Sequence, residues 1–144
     1  MLASIPSSYQ DRKSIRRNGT GEATLTPGVV ARFAAGLRGD VQAGYGSPVS
    51  DGERIYLVDN GGVLFAFNVK DGSQAWRKNL GTIQKSSPVL ADGKLYVGTE
   101  NGKFFVLKPS ATGVEVLDED VMPPSTDGEP AHIIASPAVA RGRI

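Results

Sequence analysis

Residues 46–76 read GSPVSDGERIYLVDNGGVLFAFNVKDGSQAW, and residues 86–117 restate them as SSPVLADGKLYVGTENGKFFVLKPSATGVEVL. Ser47 and Ser87 lie 40 residues apart, as do Tyr56 and Tyr96. A third copy opens with ASPAV at residues 135–139 and stops at Ile144. A period of this length is typical of repeat architectures, in which each repeat forms one supersecondary unit.

Each copy alternates short β-prone runs with turn signals. In the first copy the turn signals are Asp51-Gly52, Asn60-Gly61 and Asp71-Gly72, and such pairs favour type I′ hairpin turns. The pattern therefore predicts four antiparallel strands in each copy. The predicted strands are 47–49, 55–58, 63–67 and 74–76 in the first copy, and 89–90, 95–97, 104–107 and 114–117 in the second.

The two middle strands of each copy are apolar at nearly every position. A strand with one wet face would alternate apolar and polar residues, so these strands must be covered on both faces. Stacked four-stranded antiparallel blades satisfy this requirement, and the sequence predicts an all-β β-propeller with about two and a third blades. Such a ring is incomplete, and further chain or self-association would have to supply the remaining blades. A β-sandwich is the alternative, but it does not require successive units to resemble each other.

The limits of the repeat divide the chain into two regions. Residues 29–144 form the predicted partial propeller, with repeats at about 45–80 and 86–118 and the start of another at 135–144. Residues 29–33 are predicted to be the outer strand of a preceding blade. Residues 1–28 are polar and are predicted to be a linker or a degenerate blade. This segment carries a basic cluster formed by Arg12, Lys13, Arg16 and Arg17.

The composition of the 144-residue chain limits its class and its partners. An apolar content of 40% and a charged content of 22% are typical of a folded globular protein. The net charge of +1 gives no strong attraction to nucleic acid, which we do not expect as a partner. No apolar run approaches the roughly 20 residues of a membrane span, and the first residues lack the pattern of a secretory signal peptide. The abrupt end of the third copy suggests a fragment.

A spaced motif in the first copy points to a family. Ala66-x-Asn68-x-x-Asp71-Gly72-x-x-x-Trp76 resembles the docking motif Ala-x-Asp-x-x-Thr-Gly-x-x-x-Trp of quinoprotein-type propellers. Together with the preceding Ser-Pro-Val and Asn-Gly signals, it identifies the copies as similar to pyrroloquinoline quinone (PQQ) repeats. The resemblance implies that Trp76 packs over a glycine-bearing turn of the next blade, while Ala66 leaves room for the indole.

The second copy departs from this motif. It keeps Thr112-Gly113, but Val106 replaces the alanine and Leu117 stands where the tryptophan is expected. The predicted docking residues are therefore Ala66, Gly72, Trp76 and Gly113.

The resemblance implies two different functions. The favoured one is a non-catalytic scaffold that binds other proteins or ligands through its rim loops, as in cell-envelope propellers of the outer-membrane assembly lipoprotein type. That reading implies a periplasmic or cell-envelope location and no cofactor in this segment. The alternative is part of a quinoprotein oxidoreductase whose PQQ and Ca²⁺ are bound outside this chain. No catalytic, cofactor-binding or metal-binding residue can be assigned here on either reading.

The junction between the second and third copies offers a candidate contact surface. Ser87 and Ser136 lie 49 residues apart, nine more than the first interval (49 − 40 = 9). We expect residues 115–130 to form a solvated, proline-stiffened loop, because their acids lack the spacing of a calcium loop. Loops of this kind are common binding surfaces. The candidate partner-binding residues are Asp118, Glu119, Asp120 and Asp127.

Histidine and serine residues of the repeats are interpreted as structural. His132 is the single histidine and has no cysteine or acid at ligand spacing. Ser47, Ser87 and Ser136 recur before proline in every copy, which favours a role in the inner strand over nucleophilic catalysis.

Overall fold

The computed structural model describes residues 41, 44–81 and 83–144. Within them the chain forms two four-stranded antiparallel sheets, ordered β1-β2-β3-β4 and β5-β6-β7-β8. The predicted all-β class and the four strands per repeat are confirmed. Predictions for residues 1–28, for the basic cluster and for strand 29–33 lie outside the described residues. The strands are β1 (Val49–Ser50), β2 (Arg54–Val58), β3 (Val63–Asn68), β4 (Gln74–Asn79), β5 (Val89–Ala91), β6 (Lys94–Gly98), β7 (Lys103–Pro109) and β8 (Val114–Val121).

The turns of the first sheet are not the predicted type I′ turns. At the β2–β3 connection the positive φ of 77° falls on Gly62, one residue after the predicted pair. The Asp59 N–H donates to the Val63 carbonyl and the Gly62 N–H donates to the Asp59 carbonyl, both at 3.0 Å. This is a three-residue loop closed by a left-handed residue, and the second glycine of the Asn-Gly-Gly sequence permits it. In the predicted pairs Asp51-Gly52 and Asp71-Gly72, only the glycine has a positive φ.

Type I′ geometry occurs in the second and third copies. Asp92 and Gly93, between β5 and β6, have φ values of 49° and 68°. In the third copy Arg141 and Gly142 have φ values of 50° and 72°, beside an antiparallel bridge between Ala140 and Arg143. The third copy therefore begins its first hairpin with the same turn as the second copy.

The main core lies between the two sheets. Tyr56, Leu64 and Trp76 of the first sheet and Leu95 and Leu107 of the second belong to one buried apolar cluster. On the opposite face of β2, Ile55 and Leu57 are also buried, as the uninterrupted apolar runs predicted. Each such side chain stabilises the fold by about 1.5–3 kcal/mol on burial, so the stacked sheets form one unit.

The chain after β8 returns across the second sheet to begin the third copy. The Ile133 N–H donates to the Thr99 carbonyl at 3.3 Å. A Cβ added to Gly98 would lie 2.4 Å from Cγ2 of Ile133, and one added to Gly102 would lie 2.7 Å from the Ala131 carbonyl oxygen. Both glycines are therefore needed because the third copy packs closely on the second sheet.

Candidate functional site: blade joints and an interaction rim

Trp76 on β4 links the first sheet to the second. Its indole is 7% exposed and its Nε1–H donates to the Ser110 carbonyl at 2.9 Å. Ser110 begins the turn between β7 and β8, and its N–H donates to the Gly113 carbonyl at 2.8 Å. The indole also lies 5.9 Å from the Tyr56 ring, measured between centroids. One side chain thus joins the outer strand of one sheet to a glycine-bearing turn of the next.

The other predicted docking residues have different surroundings. Ala66 is fully buried and is the cross-strand partner of Trp76. Gly72 has a φ of 74° and its N–H closes the β3–β4 loop on the Asn68 carbonyl at 2.8 Å. A Cβ on Gly113 would meet no atom within 4 Å, so this glycine takes part through its carbonyl rather than through its small size.

The register of the second sheet corrects one assignment. Val106 pairs with Asp118 just as Ala66 pairs with Trp76, and each ladder has a register shift after that pair. Leu117 therefore falls on the bulge, in the position of Ala75. Asp118, not Leu117, occupies the tryptophan position, and it is exposed. The residue count alone missed this because the chain between the paired positions is two residues longer in the second sheet (118 − 106 = 12) than in the first (76 − 66 = 10).

Three of the four predicted partner-binding residues lie on a strand. Asp118, Glu119 and Asp120 lie within β8, so their assignment to a loop was wrong. The ladder continues through them because β7 extends to Lys103, whose ammonium pairs with the Glu119 carboxylate. Their role in partner binding stays a prediction.

Asp127 lies apart from β8, in the following turn. It accepts hydrogen bonds from the Ser125 hydroxyl and, at 3.3 Å, from the Glu129 N–H. These hydrogen bonds hold the pKa of the Asp127 carboxyl below its ordinary value. The turn is closed by the Ser125 N–H, which donates to the Glu129 carbonyl at 2.9 Å.

The repeated serines connect successive copies at the inner strands. The Ser47 N–H donates to the Ser87 hydroxyl at 2.9 Å, and the Ser87 N–H donates to the Ser136 hydroxyl at 2.8 Å. The same pair of atoms therefore joins the first copy to the second and the second to the third. These contacts place the three segments that precede the inner strands side by side.

Those three segments display large apolar side chains to solvent. Tyr45 is 79% exposed, Ile83 is 57% exposed and Ile134 is 56% exposed. Tyr45 and Ile134 each lie two residues before a repeated serine, and Ile83 lies four residues before one. We name this surface the lead-in rim, consisting of Tyr45, Ile83, Lys85, Glu100, His132 and Ile134.

Glu100, on the β6–β7 loop, contacts three other residues of the lead-in rim. Its N–H donates to the Ile83 carbonyl at 3.1 Å, and its carboxylate accepts from the Lys85 ammonium at 2.8 Å. Its carbonyl lies 2.6 Å from Nδ1 of His132. The hydrogen bond to Glu100, followed by the charge of that carboxylate, raises the pKa of Lys85, and Tyr45 is close enough to add to this effect. Glu100 therefore joins the segments of Ile83, Lys85 and His132 through three contacts.

Sequence reasoning missed the lead-in rim because its exposed residues differ in type from copy to copy. The usable signal is positional. A buried residue just before an inner strand would be of similar type in every copy. The large apolar side chains found at this place are not.

A comparison with protein families shows which family the chain belongs to. The sequence model of the family described as outer membrane protein assembly factor BamB matches residues 30–144. The chain belongs to the BamB family. A BamB-family relative, the outer membrane protein assembly factor BamB of Yersinia pestis, is 32% identical over 98 residues, which are 67% of this chain and 25% of the relative. The chain thus spans about a quarter of the length of that curated relative.

The β-propeller fold of this BamB-family chain is supported by a match to a solved structure. The quinohemoprotein alcohol dehydrogenase of Comamonas testosteroni matches with a TM-score of 0.57 and 20% identity, over 72% of this chain and 17% of that one. BamB from Moraxella catarrhalis matches with a TM-score of 0.44 and 18% identity, over 51% of this chain and 22% of that one. The predicted β-propeller with PQQ-like repeats is confirmed, and each four-stranded sheet is one blade.

Within residues 41, 44–81 and 83–144, no three histidine or carboxylate side chains lie together as metal ligands. His132 instead contacts the Glu100 carbonyl, at the lead-in rim. No helix among the described residues is long and apolar enough to cross a membrane.

Proposed function

We propose that this chain is a non-catalytic part of an outer membrane protein assembly factor, and that its lead-in rim binds a partner protein of that assembly. The proposal places the chain in the cell envelope and assigns it no cofactor. Family membership supports the assembly role. The observation that carries the binding surface is the exposure of Tyr45, Ile83 and Ile134 on segments that the repeated serines and Glu100 connect.

Elementary energetics favour a protein partner for this surface. Exposed apolar groups that lie together mark protein interaction sites more often than isolated ones do. An interface commonly has buried aromatic and aliphatic anchors with charged groups that set orientation. In the lead-in rim, Tyr45 and the two isoleucines are suited to be anchors, and the Lys85–Glu100 pair is suited to orient the partner.

Photo-crosslinking in cells tests the proposal. A photoreactive phenylalanine is placed at Tyr45, Ile83 or Ile134 in turn, and crosslinked proteins are identified by mass spectrometry. Asp92 and Thr112 serve as control positions, because both are exposed and lie in hairpin turns at the opposite end of the strands. We expect a component of the outer membrane protein assembly machinery at the rim positions and none at the controls.

Two outcomes would contradict the proposal. Equal crosslinking at Asp92 and Thr112 would show that the lead-in rim is not a selective surface. A new quinone absorbance when PQQ and Ca²⁺ are added to the purified chain would support the oxidoreductase alternative instead.

A further inference from the structure

Two Asn-Gly pairs among the described residues lie in equivalent loops of the two blades, but at different positions in them. Asn60-Gly61 lies between β2 and β3, and Asn101-Gly102 lies between β6 and β7. The first loop is closed by the Gly62 N–H on the Asp59 carbonyl at 3.0 Å. The second loop is closed by the glycine of the pair itself, whose N–H donates to the Thr99 carbonyl at 3.0 Å. The asparagine of the first blade therefore stands one position earlier in its loop.

An Asn-Gly pair can modify itself, because the short asparagine side chain reaches the backbone of the next residue and glycine has no side chain to obstruct the approach. The glycine nitrogen attacks Cγ of the asparagine, and a bond forms between these two atoms. The bond from Cγ to the amide nitrogen breaks, and that nitrogen leaves as ammonia with the proton that the glycine nitrogen loses. Water then opens the five-membered imide to aspartate or to isoaspartate. The sequence of steps needs no oxidant, reductant or enzyme.

The attacking nitrogen is available in the first loop and engaged in the second. Gly61 is exposed, and among the described residues its N–H donates to no acceptor. Gly102 is buried, and its N–H is held by the Thr99 carbonyl. A Cβ added to Gly102 would lie 2.7 Å from the Ala131 carbonyl oxygen, so the third copy covers this glycine. Attack at the second pair must first break a buried hydrogen bond.

The side-chain amides differ in the same sense. Oδ1 of Asn101 accepts a hydrogen bond from the Thr99 hydroxyl at 2.7 Å. Among the described residues no donor or acceptor bonds to the Asn60 amide, which lies against the backbone of the exposed Gly44. Both reacting groups are therefore free in the first loop and hydrogen-bonded in the second.

We propose that Asn60 is a site of spontaneous deamidation through attack by the Gly61 nitrogen, and that the fold protects Asn101 from the same reaction. The modification converts a neutral side chain into a carboxylate. In the isoaspartate product the main chain also runs through the former side chain, which lengthens the loop by one carbon atom.

The modified loop adjoins the lead-in rim. The Asn60 carbonyl accepts a hydrogen bond from the Gln84 N–H at 3.3 Å, and the residues on both sides of Gln84 belong to that rim. The new carboxylate occupies the loop position that Glu100 has in the second blade. Deamidation therefore changes the charge of this region of the surface, whatever the rim binds, and the inference does not depend on the proposed function.

Peptide mass spectrometry of the purified 144-residue chain tests the proposal. The chain is kept in mildly alkaline buffer, and samples are digested briefly with trypsin, which separates the two pairs into peptides 55–70 and 95–103. Fragmentation of the first peptide distinguishes Asn60 from Asn68. We expect deamidation at Asn60 to be at least about tenfold faster than at Asn101, because the second site must first break its hydrogen bonds. In urea, where the fold is lost, the two rates should be comparable.

A variant tests the mechanism at the same site. Gly61→Ala places a methyl group on the attacking residue. Gly61 has no positive φ, and a Cβ there would come no closer than 3.4 Å to the neighbouring Asp59 carboxylate, so the variant should keep the turn. We expect deamidation at Asn60 to become about tenfold slower and the rate at Asn101 to be unchanged. Circular dichroism verifies that the variant is folded.

Three results would overturn the proposal. Equal rates at Asn60 and Asn101 in the folded chain would mean that the free N–H of Gly61 confers no reactivity. A tenfold difference that persists in urea would mean that the local sequence, and not the fold, protects Asn101. Aspartate without isoaspartate, at a rate that Gly61→Ala leaves unchanged, would mean direct hydrolysis of the amide. Crosslinking at the lead-in rim can succeed or fail independently of all three.

Discussion

The two joints of this chain are alike at the inner strands and different at the outer ones. At both joints a serine N–H donates to the hydroxyl of the next repeated serine, at 2.9 and 2.8 Å. At the outer strand the first joint is closed by Trp76, which reaches the Ser110 carbonyl. At the second, the same register position holds Asp118, which as a carboxylate can accept a hydrogen bond but cannot donate one.

The difference shows that the inner and the outer contacts stabilise blade stacking in different ways. The inner contacts use backbone groups and one small hydroxyl, so they can be repeated in every copy. The outer contact depends on one large side chain and contributes most of its energy through burial. Within the described residues, the third copy is therefore positioned on the second blade by its inner contacts. The predictions below compare the joints by changing one contact at a time.

Removing the indole should have the largest effect. Trp76→Ala removes a buried ring and its hydrogen bond, and we expect the free energy of unfolding to fall by about 3–5 kcal/mol. Urea unfolding followed by circular dichroism measures the change. Asp118→Ala is the matched change at the second blade and should cost under about 0.5 kcal/mol, because Asp118 is exposed. Comparable losses of unfolding free energy in the two variants would contradict the claim that Trp76 makes a stabilising outer contact and Asp118 does not.

Enlarging the residue opposite the indole should have the next largest effect. Ala66→Leu adds volume beneath Trp76, where Ala66 is fully buried, and we expect a loss of about 1–3 kcal/mol from overpacking. Val106 stands at the equivalent place in the second blade and is only half-buried. Val106→Leu should therefore cost less than about 1 kcal/mol by the same urea measurement. A tolerated leucine at position 66 would show that the indole can move aside.

A tyrosine–carboxylate hydrogen bond distinguishes the first blade from the second. The Tyr56 hydroxyl donates to the Asp51 carboxylate at 2.6 Å, whereas Ala91 stands in the position of Asp51 beside Tyr96. Tyr56→Phe should cost about 1–2 kcal/mol near neutral pH, and Tyr96→Phe should cost less. Equal costs from urea unfolding would show that the carboxylate contributes nothing.

The pH dependence of this difference has a definite sign. Burial opposes ionisation of Asp51, but hydrogen bonds from Tyr56, Arg54 and Glu53 outweigh it and hold the pKa of Asp51 below its ordinary value. Its stabilisation is thus complete above about pH 4 and is lost as the pH falls further. Burial, followed by the bond to Asp51, raises the pKa of Tyr56. We therefore expect the difference in the free energy of unfolding between the parent chain and Tyr56→Phe to become smaller in acid. It should also become smaller above about pH 10.

The inner serines should give the smallest effects. Ser87→Ala removes the acceptor of the Ser47 N–H, and Ser136→Ala removes the acceptor of the Ser87 N–H. Each should cost about 0.5–1 kcal/mol, because the freed N–H groups are near solvent. Similar values for the two variants would agree with equivalent inner contacts. A value for Ser136→Ala that exceeds the one for Ser87→Ala by more than about 1 kcal/mol would contradict them.

The sequence predicted the features that depend on periodicity. Repeated runs such as 55–58 and 95–97 form strands in both blades, and Trp76 reaches the turn that the docking motif assigned to it. Features that depend on inserted residues were not predictable. Twelve residues separate the paired positions 106 and 118 where ten separate 66 and 76, which places Asp118 in the tryptophan position, and Gly62 replaces the expected type I′ turn with a longer one. Counting residues cannot detect either change.

The candidate site was the least predictable part. The acids of 118–120 indicated a loop because no apolar alternation marks them as a strand, yet pairing with β7 makes them one. The lead-in rim depends on Glu100 bringing Ile83 and His132 together from segments about 50 residues apart, a contact that only the folded structure shows.

Hydrogen–deuterium exchange of the backbone amides in the 144-residue chain tests the central claim most directly. If blades stack as described and the outer contact is made by Trp76, amides of β2, β3, β6 and β7 exchange slowest. β4 then exchanges more slowly than β8, although both are outer strands, because only β4 is docked on its neighbour. Exchange of β8 as slow as that of β4, or rapid exchange throughout residues 54–68 and 94–107, would contradict the claim.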